Sequence, residues 1–370
     1  MRVLIAPDCF GAILTAVQAA QAIRRGWRRA APSDELLLHP LADGGPGFVE
    51  VLHTALGGTL HTASVTGPAG EPVTARWLEH QGTGYVESAQ ACGLHLVPPE
   101  RRDARIATSR GVGELLAQVR DAGLGTAVVG LGGSASSDGG AGALAALGSV
   151  AVDAEGRPVA PGGAGLAWCA RLDGKPELAA VALVVAADVS NPLLGRHGAA
   201  EVFGPQKGAG REQVRELEAA LTRWADVLEE GTGRAVRDLP AAGAAGGLGA
   251  ALLALGAEQV SGAELVAGRT GLEEALDAAE LVVTGEGSFD WQSLRGKLVT
   301  VLAEGAARRG VPCVVLAGQV SVGRREAAAI GVDDAYAAAE LAGSVAAALA
   351  DPAGTLEAVA EYAARQWGGH

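Results

Sequence analysis

The chain alternates between two hydrophobic grammars. Residues 3–6 form a short unbroken apolar run, as expected of a strand buried on both faces. A Pro-Asp loop and a helical-period stripe over 17–30 follow. The order recurs at 36–38 and 48–56, where the turn Ala42-Asp43-Gly44-Gly45-Pro46-Gly47 precedes a helix that Gly57-Gly58 ends as a C-cap. Strand, loop and helix in repetition predict a parallel sheet. From residue 59 the period shortens: 63–75 and 75–87 alternate around Gly-Pro and Gly turns and predict antiparallel strands. A helix over 112–122 and a strand over 126–131 return to the first grammar. A hairpin is predicted over 150–159, turning at Asp153-Ala154-Glu155-Gly156. A strand over 182–186 runs toward Asp188, and 211–230 is an amphipathic helix. Beyond 281, strands at 281–284 and 313–316 alternate with helices at 299–309 and 325–330, and 335–350 is Ala-rich helical sequence.

This order predicts an α/β fold of two domains. A Rossmann-like parallel-sheet domain of residues 1–60, 106–148 and 266–370 is interrupted by a mixed α/β domain of residues 61–105 and 149–265, with the active site expected in the cleft between them. The length of 370 residues suits two cores better than one. Aromatic residues are only 4%, so Ala, Val and Leu must fill those cores and elements must pack closely.

A net charge of −13 argues against nucleic-acid or anionic-membrane partners, both of which need a basic face. The lysines are Lys175, Lys207 and Lys297, against many arginines. Cys9, Cys92, Cys169 and Cys313 are scattered without a C-x-x-C pair, so neither a zinc site nor a disulfide framework is expected. Apolar runs are too short to span a bilayer, and the N-terminus reads as a strand rather than a signal peptide. A cytoplasmic protein is the expectation.

Five segments place a carboxylate and glycines where a strand should meet a loop, the region where ligands gather in doubly wound sheets. They are Asp8-Cys9-Phe10-Gly11, Asp43-Gly44-Gly45, the run Gly132-Gly133-Ser134-Ala135-Ser136-Ser137-Asp138-Gly139-Gly140, Asp188-Val189-Ser190-Asn191-Pro192 and Gly285-Glu286-Gly287-Ser288-Phe289-Asp290-Trp291-Gln292. The third combines backbone N–H groups and hydroxyls ahead of a helix, which suits an anion, although a tight strand–helix turn would use the same glycines. Asp188 and Asn191, three apart, suit Mg²⁺ with its waters or a hydroxyl proton, and equally an Asx-turn before proline. Glu286 and Asp290 with Lys297 downstream suit a metal–phosphate site, and equally helix capping.

These segments, with Phe203-Gly204-Pro205-Gln206-Lys207-Gly208 and Gly243-Ala244-Ala245-Gly246-Gly247-Leu248-Gly249, occur in an order that resembles the glycerate kinase family from residue 1 to about 331. The resemblance implies an ATP- and Mg²⁺-dependent phosphotransferase acting on a hydroxyl of glycerate or a related small hydroxy acid. It assigns catalysis to Asp188, Asp290, Lys207 and Lys297, with Asp188 and Asp290 also as metal ligands. Substrate or phosphate binding falls to Asp8, Asp43, Gly44, Gly45, Gly132, Gly133, Ser134, Asp138, Asn191, Glu286 and Gln292. A nucleotide and a small acid are the expected partners, with a homodimer as a possible assembly.

The departures are concentrated. Where the family typically reads Asp-Ser-Phe-Lys-Gly-Ser, this chain has Asp8-Cys9-Phe10-Gly11-Ala12-Ile13. Pro46 stands for a glutamate, and Ser288-Phe289 for Arg-Leu. Charge is lost and apolar bulk gained. Two alternatives follow: a relative recruited to a larger or less polar substrate, or a non-catalytic ligand-binding homologue.

Overall fold

A computed structural model of the chain describes residues 1–11, 13–178, 180–291, 293–294 and 298–368. The chain forms two compact units, one of Met1–Leu56 with Ala263–His370 and one of Gly57–Gly262. The first unit opens with β1 (Arg2–Ile5) and β2 (Glu35–Leu38). The second supplies β3 (Thr59–Thr66), β4 (Pro72–His80), β5 (Thr83–Glu87), β6 (Thr126–Gly130), β7 (Val150–Val152), β8 (Arg171–Asp173), β9 (Ala182–Ala186) and β10 (Glu258–Val260). The first then resumes with β11 (Leu281–Phe289), β12 (Cys313–Val320) and β13 (Asp334–Ala337).

The first unit is built on a five-stranded sheet in the order β13-β12-β11-β1-β2, parallel throughout. Val3, Leu4 and Ile5 of β1 are fully buried, as an apolar run in a sheet covered on both faces must be. The helix Ala16–Ala30 begins with a capping box between Thr15 and Gln18. It packs Ile23 and Trp27 against Leu356, Val359 and Ala360 of the C-terminal helix Pro352–Trp367. Their contact is close because Gly26 has no side chain: a Cβ there would lie 2.0 Å from the Glu357 carbonyl oxygen. Arg25 and Arg29 both pair with the Glu357 carboxylate.

The second unit carries a six-stranded sheet in the order β10-β9-β6-β5-β4-β3. Its β3-β4-β5 portion is antiparallel, and β5, β6, β9 and β10 pair in parallel. The shift from alternating to continuous apolar sequence is therefore a shift within one sheet.

Four expectations are corrected. Segment 106–148, expected with the first sheet, places β6 between β5 and β9 of the second, because its apolar strand pairs with Thr83–Glu87 and Ala182–Ala186. The hairpin expected over 150–159 is reduced to a single bridge from Val152 to Pro158, and β7 takes β8 as its ladder partner. The strand expected to stop at 284 continues to Phe289, since β12 runs alongside it to Val320. The Ala-rich segment 335–350 begins as strand β13 before turning helical. Among the described residues, no helix is long and apolar enough to cross a membrane.

Candidate functional site

In the second unit, β6 delivers the chain into the loop that ends at the helix Ala141–Ala146. The loop is held from several sides. Asp138, fully buried, accepts at Oδ2 from Ser109 N (2.8 Å), Ser109 Oγ (2.9 Å), Gly142 N (3.2 Å) and Thr108 Oγ1 (3.3 Å), and at Oδ1 from Gly140 N (3.2 Å). Burial raises its pKa, and these donors oppose the rise by stabilising the carboxylate. Trp224 Nε1 donates to the Gly139 carbonyl at 2.9 Å. Gly139 and Gly140 have φ of 60° and 76°, a left-handed turn that glycine adopts without steric cost.

The Gly243–Gly249 motif has its explanation here. Gly246 (φ 69°) lies against this loop so closely that a Cβ would come within 1.9 Å of the Ser136 carbonyl oxygen. Gly243 similarly approaches the Pro192 carbonyl. These glycines let three loops stack backbone to backbone.

Lys207 comes from the short helix Pro205–Lys207 and is 2% exposed. Its Nζ donates to Ser134 Oγ at 3.1 Å and to the Ser136 carbonyl. Burial lowers its pKa to about 8 against the opposing influence of Cys92 and Asp138. The Cys92 thiol is pushed up to about 12 by burial and the Asp138 charge, so it is an inert neutral neighbour. Arg101, Arg102 and Lys207 share a small hollow with Val97 and Ala135 beside the loop.

Asp188 follows β9, and its Oδ1 accepts from Ser261 Oγ (2.7 Å) and Gly262 N (2.9 Å). Asn191 donates to the His197 carbonyl at 2.7 Å. Both residues anchor their loops in these contacts.

In the first unit, the ends of β1 and β2 and the outer half of β11 bring carboxylates together. The Asp8 pKa is raised well above the carboxylate range, first by burial, then by the Asp43 charge and also by that of Glu286, while the Cys9 N–H opposes the rise. Cys9 N donates to Asp8 Oδ1 at 2.6 Å, and Gly45 N to Asp43 Oδ1 at 3.0 Å. Gly44 takes a φ of 93° to close that turn. Asp290 sits just past β11, where Ser293 Oγ hydrogen-bonds its backbone N at 3.3 Å. Gln292 and Lys297 lie outside the described residues.

Sequence reading thus collected the carboxylates and the loop but not the residues that hold them. Thr108 and Ser109 precede a helix and read as ordinary caps, yet Ser109 Oγ also accepts from Ala143 N at 3.1 Å while donating to Asp138. Asp188 and Asp290, read together as metal ligands, belong to different units. Among the described residues, no group of three or more His, Cys, Asp or Glu side chains is placed to hold a metal ion.

The model of the glycerate kinase family matches residues 3–368. The chain is 43% identical to the glycerate 2-kinase of Escherichia coli K12 over 87% of its own length and 86% of that protein. It is 46% identical to an uncharacterized protein of Mycobacterium bovis, over 100% of this chain and 92% of that one. A solved structure assigned as a glycerate kinase 2 from Salmonella typhimurium LT2 matches with a TM-score of 0.78 at 39% identity, covering 99% of this chain and 98% of that one. The fold and these matches define a kinase. The chain belongs to the glycerate kinase family.

Proposed function

We propose that this kinase transfers the γ-phosphoryl group of ATP to a hydroxyl of glycerate or a closely related hydroxy acid. The observation that carries the reading is the buried Lys207 ammonium held against Ser134 in a glycine- and serine-rich loop ahead of a helix. Phosphate recognition calls for such a site, since backbone N–H groups, hydroxyls and one desolvated cation all favour an anion. Gly132, Gly133 and Ser134 would cradle the phosphates, and Lys207 would neutralise charge that spreads onto the transferred group. Asp138 is the positioning residue that fixes the loop through its donors.

Asp8 is the proton acceptor in this reading. Its raised pKa moves a carboxylate toward the range useful for a general base. In the transfer, the acceptor oxygen forms a bond to Pγ, the bond from Pγ to the bridging β,γ-oxygen breaks, ADP leaves, and the hydroxyl proton passes to Asp8. Lys297 keeps its assignment as a second cation for the phosphoryl group.

The donor set fits Mg²⁺ that enters with the nucleotide rather than a resident ion. Mg²⁺ commonly takes one or two carboxylates and completes its shell with phosphate oxygens and water. Asp43 and Glu286, hard oxygen donors whose charges already reach Asp8, would hold it, with Asp290 as a further candidate. When bound it would supply charge neutralisation for the β- and γ-phosphates. Asp188 is better suited to anchoring its loop, since Oδ1 already accepts two hydrogen bonds.

The test is ADP release from Mg-ATP with a panel of hydroxy acids, for the wild-type chain and for Asp8→Asn. ADP release on glycerate that falls at least a hundredfold in Asp8→Asn is expected. Acid-independent ADP release, or an unaffected variant, overturns the reading.

A further inference from the structure

The first unit holds a concave apolar pocket of about 250 Å³ whose position bears on the acceptor. Its floor is buried: Phe10 is 6% exposed, Leu14 9% and Leu356 1%. Its rim is not, with Ile13, Val345 and Leu349 exposed at 50%, 41% and 52%. The helix Val345–Ala350 that forms one wall has only apolar residues and buries none of them, although Ser344 caps it properly. Leaving that much hydrocarbon in water is unfavourable, and the cost is relieved only by an apolar occupant.

The pocket adjoins the carboxylates. Phe10 stands two residues after Asp8, and Gly287, which also lines the pocket, is next to Glu286. The absence of side chains keeps this junction open. A Cβ on Gly318 would lie 2.4 Å from the Gly287 carbonyl, and one on Gly287 would touch the Phe10 backbone. A ligand whose hydroxyl reached Asp8 would therefore have hydrocarbon-lined space within a few bonds of the reacting atom.

We infer that this pocket is a subsite for an apolar substituent on the acceptor, so that the enzyme takes hydroxy acids bearing a hydrocarbon chain in addition to, or in preference to, glycerate. The inference rests on the phosphotransfer reading for the reaction, but not for the binding. A volume near the lower end of ligand pockets suits a short to medium alkyl chain better than a protein surface.

The experiment measures kcat/KM with Mg-ATP for a homologous series of straight-chain 2,3-dihydroxy acids that begins at glycerate, using the full chain and Leu349→Asp. A rise of about threefold per added methylene until the pocket is filled is expected. Leu349→Asp should lower the long-chain values at least tenfold more than the value for glycerate. Val345→Thr, nearly isosteric, should act in the same direction if Leu349→Asp does not fold. A flat series beside measurable glycerate turnover overturns the subsite, as does an equal loss on all acids. If no acid is turned over, the phosphotransfer reading fails by itself. Calorimetric binding of 2,3-dihydroxynonanoate then decides the pocket, with binding lost in Leu349→Asp supporting it and no binding overturning it. A flat series with a concentration-dependent dimer that Leu349→Asp dissolves would instead make this face a contact between two copies, and would likewise overturn the subsite.

Discussion

Lys207 Nζ lies 3.1 Å from Ser134 Oγ, with the ammonium buried and the hydroxyl at the head of a loop whose glycines sit against another glycine-rich segment. Burial depresses the lysine to about 8, so in the free enzyme its charge is lost near that pH. If the ammonium neutralises the phosphoryl group, kcat/KM falls above pH 8 with unit slope. The limb in kcat lies higher, because bound phosphates favour the charged form. Between that value and the ordinary lysine value of about 10.4 the unfolded chain binds the extra proton, so this residue's contribution to stability rises with pH. Steady-state pH profiles and urea titrations at pH 7.5 and 9.5 check both signs.

Lys207→Met removes two hydrogen bonds but also a desolvated charge. The stability change should stay within about 2 kcal/mol, while kcat falls by about a hundredfold or more. A variant that loses stability heavily and keeps its kcat would make the lysine a structural strut.

Asp138→Asn exchanges one acceptor oxygen for an amide that faces N–H donors. Loss of charge-assisted hydrogen bonds to Ser109, Gly140 and Gly142 should cost about 2–3 kcal/mol, read from the denaturation midpoint. Gly246→Ala should be costly as well, because a Cβ there would lie 1.9 Å from the Ser136 carbonyl and φ is 69°.

Asp43→Asn removes a like charge that raises Asp8. The Asp8 carboxyl should then ionise at lower pH, moving the acid limb of kcat/KM downward. An unmoved limb would place the essential base elsewhere.

The first loop gives a fourth test. Gly11 has φ of 59° with open space where a side chain would begin, and Ile13 is half exposed. A Gly11→Lys, Ile13→Ser variant restores a cation and a hydroxyl that the family typically carries there. It should raise kcat/KM on glycerate by about ten- to hundredfold, the size of one charge-assisted hydrogen bond. No change would mean that these positions do not touch the acid.

Much of this was legible from local pattern. The apolar runs at β1, β6, β9 and β12 and the loops after β1, β2, β6 and β9 sit where periodicity and glycine placed them. What was not legible depended on partners distant in sequence. Residues 126–131 look alike whichever sheet they join, and only pairing with β5 and β9 assigns them to the second unit. The sequence of β11 past Thr284 carries glycines and a glutamate, which read as loop until β12 supplies hydrogen bonds out to Phe289. Thr108 and Ser109 gain their role only from Asp138, some thirty residues away. The C-terminal helix Pro352–Trp367 lay beyond the motifs read in the sequence and is found through Gly26.

That helix sets an order of assembly during synthesis. The strand β1 is hydrogen-bonded on one side by β2 and on the other by β11, and the helix Ala16–Ala30 waits for residues 352–367 to cover Ile23 and Trp27. Gly57–Gly262, a continuous stretch, has all its sheet partners at hand once it leaves the ribosome. The N-terminal residues, made first, finish folding last, and during elongation they carry an unpaired strand edge and an uncovered tryptophan that a chaperone would recognise.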